Sequence, residues 1–303
     1  MPVILDSKDV ALIDKDFASE SQVWELLKEG AKDITESDFV GVNEVRVNVM
    51  KGFTKADYKR NKDNERKNIS VQKETLKLTQ EDWMGYDLDK LDQEENAAYQ
   101  VANVISEHRR LISVPTKDAR AVKVILDAAF AEKDTNLDPE GKYVGKTVEE
   151  TITKENALES YDKAEAYMTD ADIVGPFVMF VSSDYYYNLK NAQGVTKSFT
   201  TNEVKINGIN RKVESLDDGD VYIKKVAKSR LQQLTNKTVN YILVPLTVAS
   251  PIEKVNAIDL VPASQDRSGY RDTIKGLDYY DLIVLLKARP AIYVSYKAEA
   301  PGV

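Results

Sequence analysis

The sequence predicts an α+β fold, on three observations. Residues 43–80 alternate apolar and polar side chains around a charged centre, as a β-hairpin does. Residues 94–168 carry three apolar stripes at helical spacing. From Gly175 onward, short apolar runs alternate with turn residues, which is the texture of strands.

Residues 1–42 read as an arm with short helices. Within it, Ser21–Glu29 sets Val23, Trp24, Leu26 and Leu27 on one stripe, and Gly30 ends it. In residues 43–80, Val45, Val47 and Val49 alternate with Arg46 and Asn48, a period of two. The returning arm has Ile69 and Val71, then Leu76 and Leu78. Its parity flips between Val71 and Leu76, which predicts a bulge or break there. Lys51–Lys67, between the arms, is almost free of apolar side chains. An arm of eight residues spans about 26 Å, and a two-stranded hairpin alone is marginal in water. No third strand adjoins it in sequence. The hairpin either packs on its own domain or lies on a neighbouring molecule.

Two helices follow. Glu94–Ser113 has Ala98, Val101, Ala102, Ile105 and Ile112 at helical spacing, with Pro115 predicted to close it. Thr116–Phe130 has Ala119, Val122, Ile125, Leu126 and Ala129 on a second stripe. Asn136–Gly145 reads as a loop, and Thr153–Met168 as a third helix with Leu158, Tyr161, Ala164 and Met168 on one side. Phe177–Val181, Tyr241–Val248, Leu282–Leu286 and Ala291–Tyr296 read as strands. Asn207-Gly208, Asp218-Gly219 and Pro262–Ser264 are turn signals. There is no internal repeat and no low-complexity segment.

Composition narrows the chemistry. The chain has 303 residues, no Cys and one His, with 42% apolar and 30% charged side chains. That length makes one large or two ordinary domains and buries roughly 75% of the unfolded surface. The balance fits a folded soluble protein, neither disordered nor membranous. Without Cys there is no thiol nucleophile, disulfide or thiolate metal site, and one His removes multi-His zinc sites. A Ser-His-Asp triad would have to use His108. The net charge of −8 argues against a protein whose main task is gripping phosphates. The residues from Met1 to Asp9 lack the basic region of a signal peptide, and no window approaches a membrane span. A cytosolic location, or one inside an assembly the protein builds, is expected. The sequons at Asn68 and Asn236 are therefore not expected to meet a glycosylation system.

Several motifs fall short of a chemistry. Gly141 to Thr147 looks like a phosphate loop, but it has three residues between its glycines where four are needed. It also follows a polar loop, not a strand. Asp134, Asn136 and Asp138 have calcium-loop spacing, yet Pro139 stands where Gly is required and Gly145 where Glu is required. Ser70 with Lys73, and Ser160 with Lys163, match Ser-x-x-Lys without the companion motifs of that enzyme class. His108 sits in a charged helical segment, Glu107 to Arg110, where a structural or solvated side chain is expected rather than a catalytic one. No catalytic residue, cofactor or metal is expected.

Charge asymmetry does stand out. Lys51–Lys77 holds nine basic and four acidic side chains, while Glu81–Glu95 holds seven acidic and one basic. The two blocks are net +5 and −6. Either both are simply solvated, or they pair within the molecule or head-to-tail between copies. In the pairing case the contact residues are Lys59, Arg60, Lys62, Arg66 and Lys67 against Asp87, Asp89, Asp92, Glu94 and Glu95.

From about Asn43 to Lys297 the order of features resembles the major capsid proteins of tailed bacteriophages, the Hong Kong ninety-seven fold. The resemblance is carried by the charged hairpin and by Tyr86-Asp-Leu-Asp-Lys-Leu-Asp-Gln-Glu-Glu-Asn96 leading into a helix. Arg110-Leu-Ile-Ser-Val-Pro115 and Lys117-Asp-Ala-Arg120 follow. Downstream come Phe177 to Lys190, Ile206 to Ile209, Val213 to Asp217 and Ser229-Arg-Leu231, then Gly269-Tyr270, Tyr280-Asp281 and Ile292-Tyr293. One departure is Lys225-Val-Ala227, where relatives commonly have Val-Pro.

The resemblance implies an N-terminal arm (1–42) and an extended hairpin termed the E-loop (43–80). It implies a peripheral domain with a long spine helix (81–148), an axial domain (149–240) and returning strands (241–303). It also implies a non-enzymatic function: self-assembly through hexamers and pentamers into an icosahedral shell around double-stranded DNA. The implied partners are other copies of the chain, a separate scaffolding protein, a portal and a decoration protein, with non-specific DNA contact and no membrane. The implied location is the virion capsid, reached through the host cytoplasm. Alternative readings are an encapsulin-like cellular shell, a phage tail or head-completion protein, and a carboxylate-based hydrolase using the acidic run.

Overall fold

The computed structural model describes residues 20–30, 44–51, 53, 55–64, 66, 68–95, 100–192, 215–216 and 220–299. The first described element is a short helix, α1 (Trp24–Gly30). Its stripe lies where the spacing put it: Val23, Trp24 and Leu27 are buried in the main core.

The hairpin consists of β1 (Glu44–Lys51) and β2 (Ser70–Lys77), which among the described residues pair only with each other. Their ladder runs from Glu44↔Lys77 to Lys51↔Ser70 without a register shift. The bulge expected between Val71 and Leu76 is therefore absent. The flip in parity has another cause. Val45 and Leu76 share the inner face, and Glu74 occupies the next inner position. Glu74 is buried because both carboxylate oxygens lie 3.2 Å from the Leu286 N–H. Val71 faces outward, opposite Met50. The base of the hairpin packs on its own chain, with Val45 and Leu78 against Ile252, Tyr279 and Ile283.

Directly after the hairpin comes β3 (Gln80–Asp89), then the short helix α2 (Lys90–Glu95). The acidic run, expected to lead directly into a helix, thus begins as a strand. A period-two signal was present: Met84 and Leu88 are buried and Tyr86 is half-buried, while Trp83 and Asp87 are exposed.

The next two helices are one helical column. The helix α3 (Val101–His108) passes through a π turn, Arg109–Ser113, into α4 (Val114–Phe130). Pro115 does not close the first helix. Proline has no N–H, and in a regular helix its ring would strike the carbonyl of residue 111. The wider π turn just before it, with the Val114 N–H bonding the Arg109 carbonyl, lets the column continue.

After the 136–145 loop come β4 (Lys146–Glu149), α5 (Ala157–Asp170), β5 (Phe177–Val181) and α6 (Ser183–Lys190). Then follow β6 (Ser215–Leu216), β7 (Val221–Lys225) and a one-turn helix, Lys228–Leu231. The chain ends in long strands: β8 (Lys237–Pro245), β9 (Ala249–Val261), β10 (Arg271–Val284) and β11 (Tyr293–Ala298). The turn signals at 207–208 and 218–219 lie outside the described residues.

A six-stranded sheet, in order β4-β11-β8-β5-β7-β6, holds the main core. Both its faces are covered, so its central strands are apolar throughout. Val178 and Phe180 of β5 face α4, through Val122, Ile125 and Leu126. Met179 and Val181 face α5 and α6, through Tyr161, Ala164, Tyr185 and Leu189. Each such side chain contributes about 1.5–3 kcal/mol by burial. A three-stranded sheet, β3-β10-β9, carries Met84, Leu88 and Ile274 on its inner face, against Val101, Val104 and Ile105 of α3. The long strand β10 joins the two regions, since its Tyr280, Leu282 and Val284 enter the main core.

Candidate subunit interface

The hairpin ends in a built turn. Asn61 adopts a left-handed backbone, φ 57°. The Asn64 side chain closes the turn: its Oδ1 accepts from the Lys59 N–H at 2.7 Å, and its Nδ2 lies 3.4 Å from the carbonyls of Lys59 and Lys62. Asn tolerates and ties such turns better than other residues. Lys59, Arg60, Lys62 and Arg66 are all exposed on this tip, together with Tyr58. Lys67 lies outside the described residues.

The acidic residues lie elsewhere on the body. Asp87, at the end of β3, accepts from the Thr273 hydroxyl at 2.7 Å and lies 3.5 Å from Arg271. Asp89 accepts the Leu91 N–H at 2.9 Å, capping α2. Asp92, Glu94 and Glu95 are exposed on α2. The one base of this block, Lys90, turns toward the buried Asp272 at 2.6 Å. That contact holds the Asp272 carboxyl below the usual carboxylate range. It also leaves the outer side of the block with acidic groups unopposed by Lys90. Among the described residues, no ion pair joins the hairpin tip to the acidic block within one chain.

A cleft of about 280 Å³ lies between the three-stranded sheet and the helical column. Asp82, His108, Lys117, Glu253 and Asp278 line it. Each of these five side chains has a partner. Lys117 Nζ lies 2.7 Å from Asp278 and 3.1 Å from Glu253. The Tyr280 hydroxyl donates to Asp82 at 2.6 Å. His108 Nδ1 lies 2.8 Å from the Tyr86 hydroxyl, and burial pushes its pKa down. Burial pushes the Asp278 carboxyl up. These contacts tie β3 and β10 to the helices.

The other motifs resolve into structure. Lys146 and Thr147 lie in β4, which pairs with β11, so no helix follows the phosphate-loop look-alike. Asp134 and Asp138 each accept two N–H groups of their own loop. Ser160 is buried, hydrogen-bonded to Glu150 at 2.6 Å, and Lys163 pairs with Glu159. Ser70 and Lys73 both lie exposed on β2. Among the described residues, no group of three or more metal-ligating side chains is placed to hold an ion, and no helix is long and apolar enough to cross a membrane.

No protein-family model matches the chain, and no curated protein matches it. Solved structures do. The mature capsid of bacteriophage PhiM1 superposes with a TM-score of 0.70 at 14% identity, covering 96% of this chain and 91% of that one. The capsid of cyanophage P-SCSP1u superposes at 0.70 with 11% identity, covering 97% and 94%. A structure from Mycobacterium phage Che8 superposes at 0.60 with 14% identity, covering 94% and 93%. The chain has the α+β fold of these phage capsid structures.

Proposed function

We propose that this chain, which carries the phage capsid fold, is the shell subunit of a tailed-phage head, self-assembling around double-stranded DNA without catalysing a reaction. The observation that carries the reading is coverage. The two capsid structures at TM-score 0.70 cover 96% and 97% of the chain, so the likeness is one of the overall fold. In this reading residues 43–80 are an E-loop, 81–148 a peripheral domain with the helical column as its spine, and 149–240 an axial domain. Residues 241–303 return strands to both.

Copies meet as hexamers and pentamers. Lys59, Arg60, Lys62, Arg66 and Lys67 of one copy dock on Asp87, Asp89, Asp92, Glu94 and Glu95 of the next. Opposite charge on separate surfaces that, among the described residues, form no ion pair within one chain favours such a head-to-tail contact. A scaffolding protein, a portal and a decoration protein are the further partners, and DNA contact is non-specific. The protein passes through the host cytoplasm into the virion.

Electron microscopy of the purified protein, alone and with its scaffolding partner, tests the proposal. Closed shells of uniform size are expected. A monodisperse monomer under both conditions, or open tubes and rings only, would overturn it.

A further inference from the structure

We infer that the cleft between the three-stranded sheet and the helical column is a binding site for a small organic cation, a primary amine carried on an apolar body. The inference concerns the folded subunit itself and stands apart from any contact between copies.

The floor of the cleft is one face of the sheet. Asp82 on β3 and Asp278 on β10 are register partners, and Asp278 is in turn the partner of Asn256 on β9. Met84, Gly276 and Ile258 form a second cross-strand row on the same face, about 7 Å along the strands. Gly276 leaves room in that row: a Cβ there would lie 2.8 Å from Met84 Cε. Val114 of α4 lines the cleft as well. The site therefore has an acidic end and an apolar end. A volume of about 280 Å³ is at the small end of ligand sites, which run from about 300 to 1,000 Å³, so the occupant is compact.

The acidic end is short of positive charge. Like charges directly opposite in a ladder repel, and Asp82 and Asp278 are so placed. Glu253 adds a third carboxylate, and among the described residues Lys117 is the base paired with this group. The Trp24 indole N–H and the Tyr280 hydroxyl donate to Glu253 and Asp82, but they bring no charge. Burial holds His108 below its ordinary range and therefore neutral at pH 7. Glu25, Lys28 and Arg109 also line the cleft, but they are exposed, and salt screens them. One acceptor is left over: Asp278 Oδ1 is buried without a hydrogen-bond partner. A buried acceptor left unmet is costly, and a charged donor offsets that cost best. An ammonium at the acidic end answers both the repulsion and the open acceptor, while its apolar body covers Met84 and Ile258.

Isothermal titration of the purified chain with phenethylamine tests the site, beside 2-phenylethanol and 3-phenylpropionate as neutral and anionic bodies of similar size. The amine should bind once per chain near pH 8, and the other two roughly tenfold more weakly or not at all. Lowering the pH toward 5 should weaken the amine. The Asp278 carboxyl, raised by burial, gains its proton and His108 gains charge, while a primary amine stays charged throughout. Asp278→Asn should weaken binding by about tenfold. Asn256→Arg is the milder change, because residue 256 is exposed. It sets a guanidinium opposite Asp278 from within the chain, so it should abolish binding and raise the melting temperature. No binding of the amine, equal binding of all three bodies, or undiminished binding in Asn256→Arg would overturn the site. None of these outcomes bears on shell formation.

Discussion

The Arg230 guanidinium donates to the Asp118 carboxylate at 2.7 Å, with both side chains buried. Asp118 sits on α4, and Arg230 on the one-turn helix after β7. The same carboxylate accepts the N–H groups of Gln22, Val23 and Trp24 and the Ser21 hydroxyl, at 2.7–3.2 Å. It therefore caps α1 from another helix and joins three distant parts of the chain. Arg230 also reaches the Glu20 carbonyl at 3.1 Å.

Asp118→Ala should be the most damaging single change at this junction. It strands a buried guanidinium and leaves the α1 cap open, a loss of about 3–5 kcal/mol. Arg230→Met leaves Asp118 with its other donors, so about 1–3 kcal/mol is expected. Urea unfolding of the two variants checks the order. Equal losses would contradict the capping role.

Glu74 gives a pH dependence of definite sign. Burial raises its carboxyl above the ordinary range in the folded protein, against the lowering effect of the Leu286 N–H. Below the ordinary carboxylate range the group is protonated in folded and unfolded chains alike, and it contributes no difference. As pH rises through and above that range, the unfolded chain ionises first, and stability is lost. Glu74→Gln should therefore melt higher than the parent at pH 8, with the gap closing near pH 4. A gap independent of pH would show that charge is not the cause.

Gly145 explains the phosphate-loop look-alike. A Cβ at this position would lie 2.6 Å from the Ala129 backbone, so the glycine is required for the loop to pass the end of α4. Gly145→Ala should cost about 1–3 kcal/mol by overpacking. Thermal melts of the parent with and without ATP and magnesium should coincide. A nucleotide-dependent rise would revive the phosphate-loop reading.

What could be read in advance followed from periodicity with a dry face. Phe177–Val181 forms β5 as written, and the α4 stripe of Val122, Ile125, Leu126 and Ala129 is buried as spaced. The hairpin was legible from Val45 and Val49, but not the inward turn of Glu74, because a buried carboxylate on a strand is set by a distant N–H. The β3 strand is masked by its charge: acidic residues crowd the alternation of Met84 and Leu88. Pro115 signals a stop by local rules, which do not foresee a π turn. The two charge blocks are legible in composition alone, whereas the turn of Lys90 toward the buried Asp272 depends on a residue 182 positions away.

The last prediction concerns the hairpin tip. Reversing Lys59, Arg60 and Lys62 to Glu turns the 51–77 block from net +5 to −1. All three side chains are exposed on a turn closed by Asn64, so folding should change by no more than about 0.5 kcal/mol per site. Assembly should fail all the same. Each exposed pair contributes only about 0.2–1 kcal/mol, but the contact repeats across every copy of a shell. The parent should likewise assemble less well in 1 M salt, where the screening length falls to about 3 Å. Adding Asp92→Lys, Glu94→Lys and Glu95→Lys to the reversed tip should restore particles, since an acidic tip then meets three lysines on α2. Sedimentation velocity measures all three cases. Full assembly of the reversed tip alone, or no recovery in the compensated chain, would place the contact on other residues.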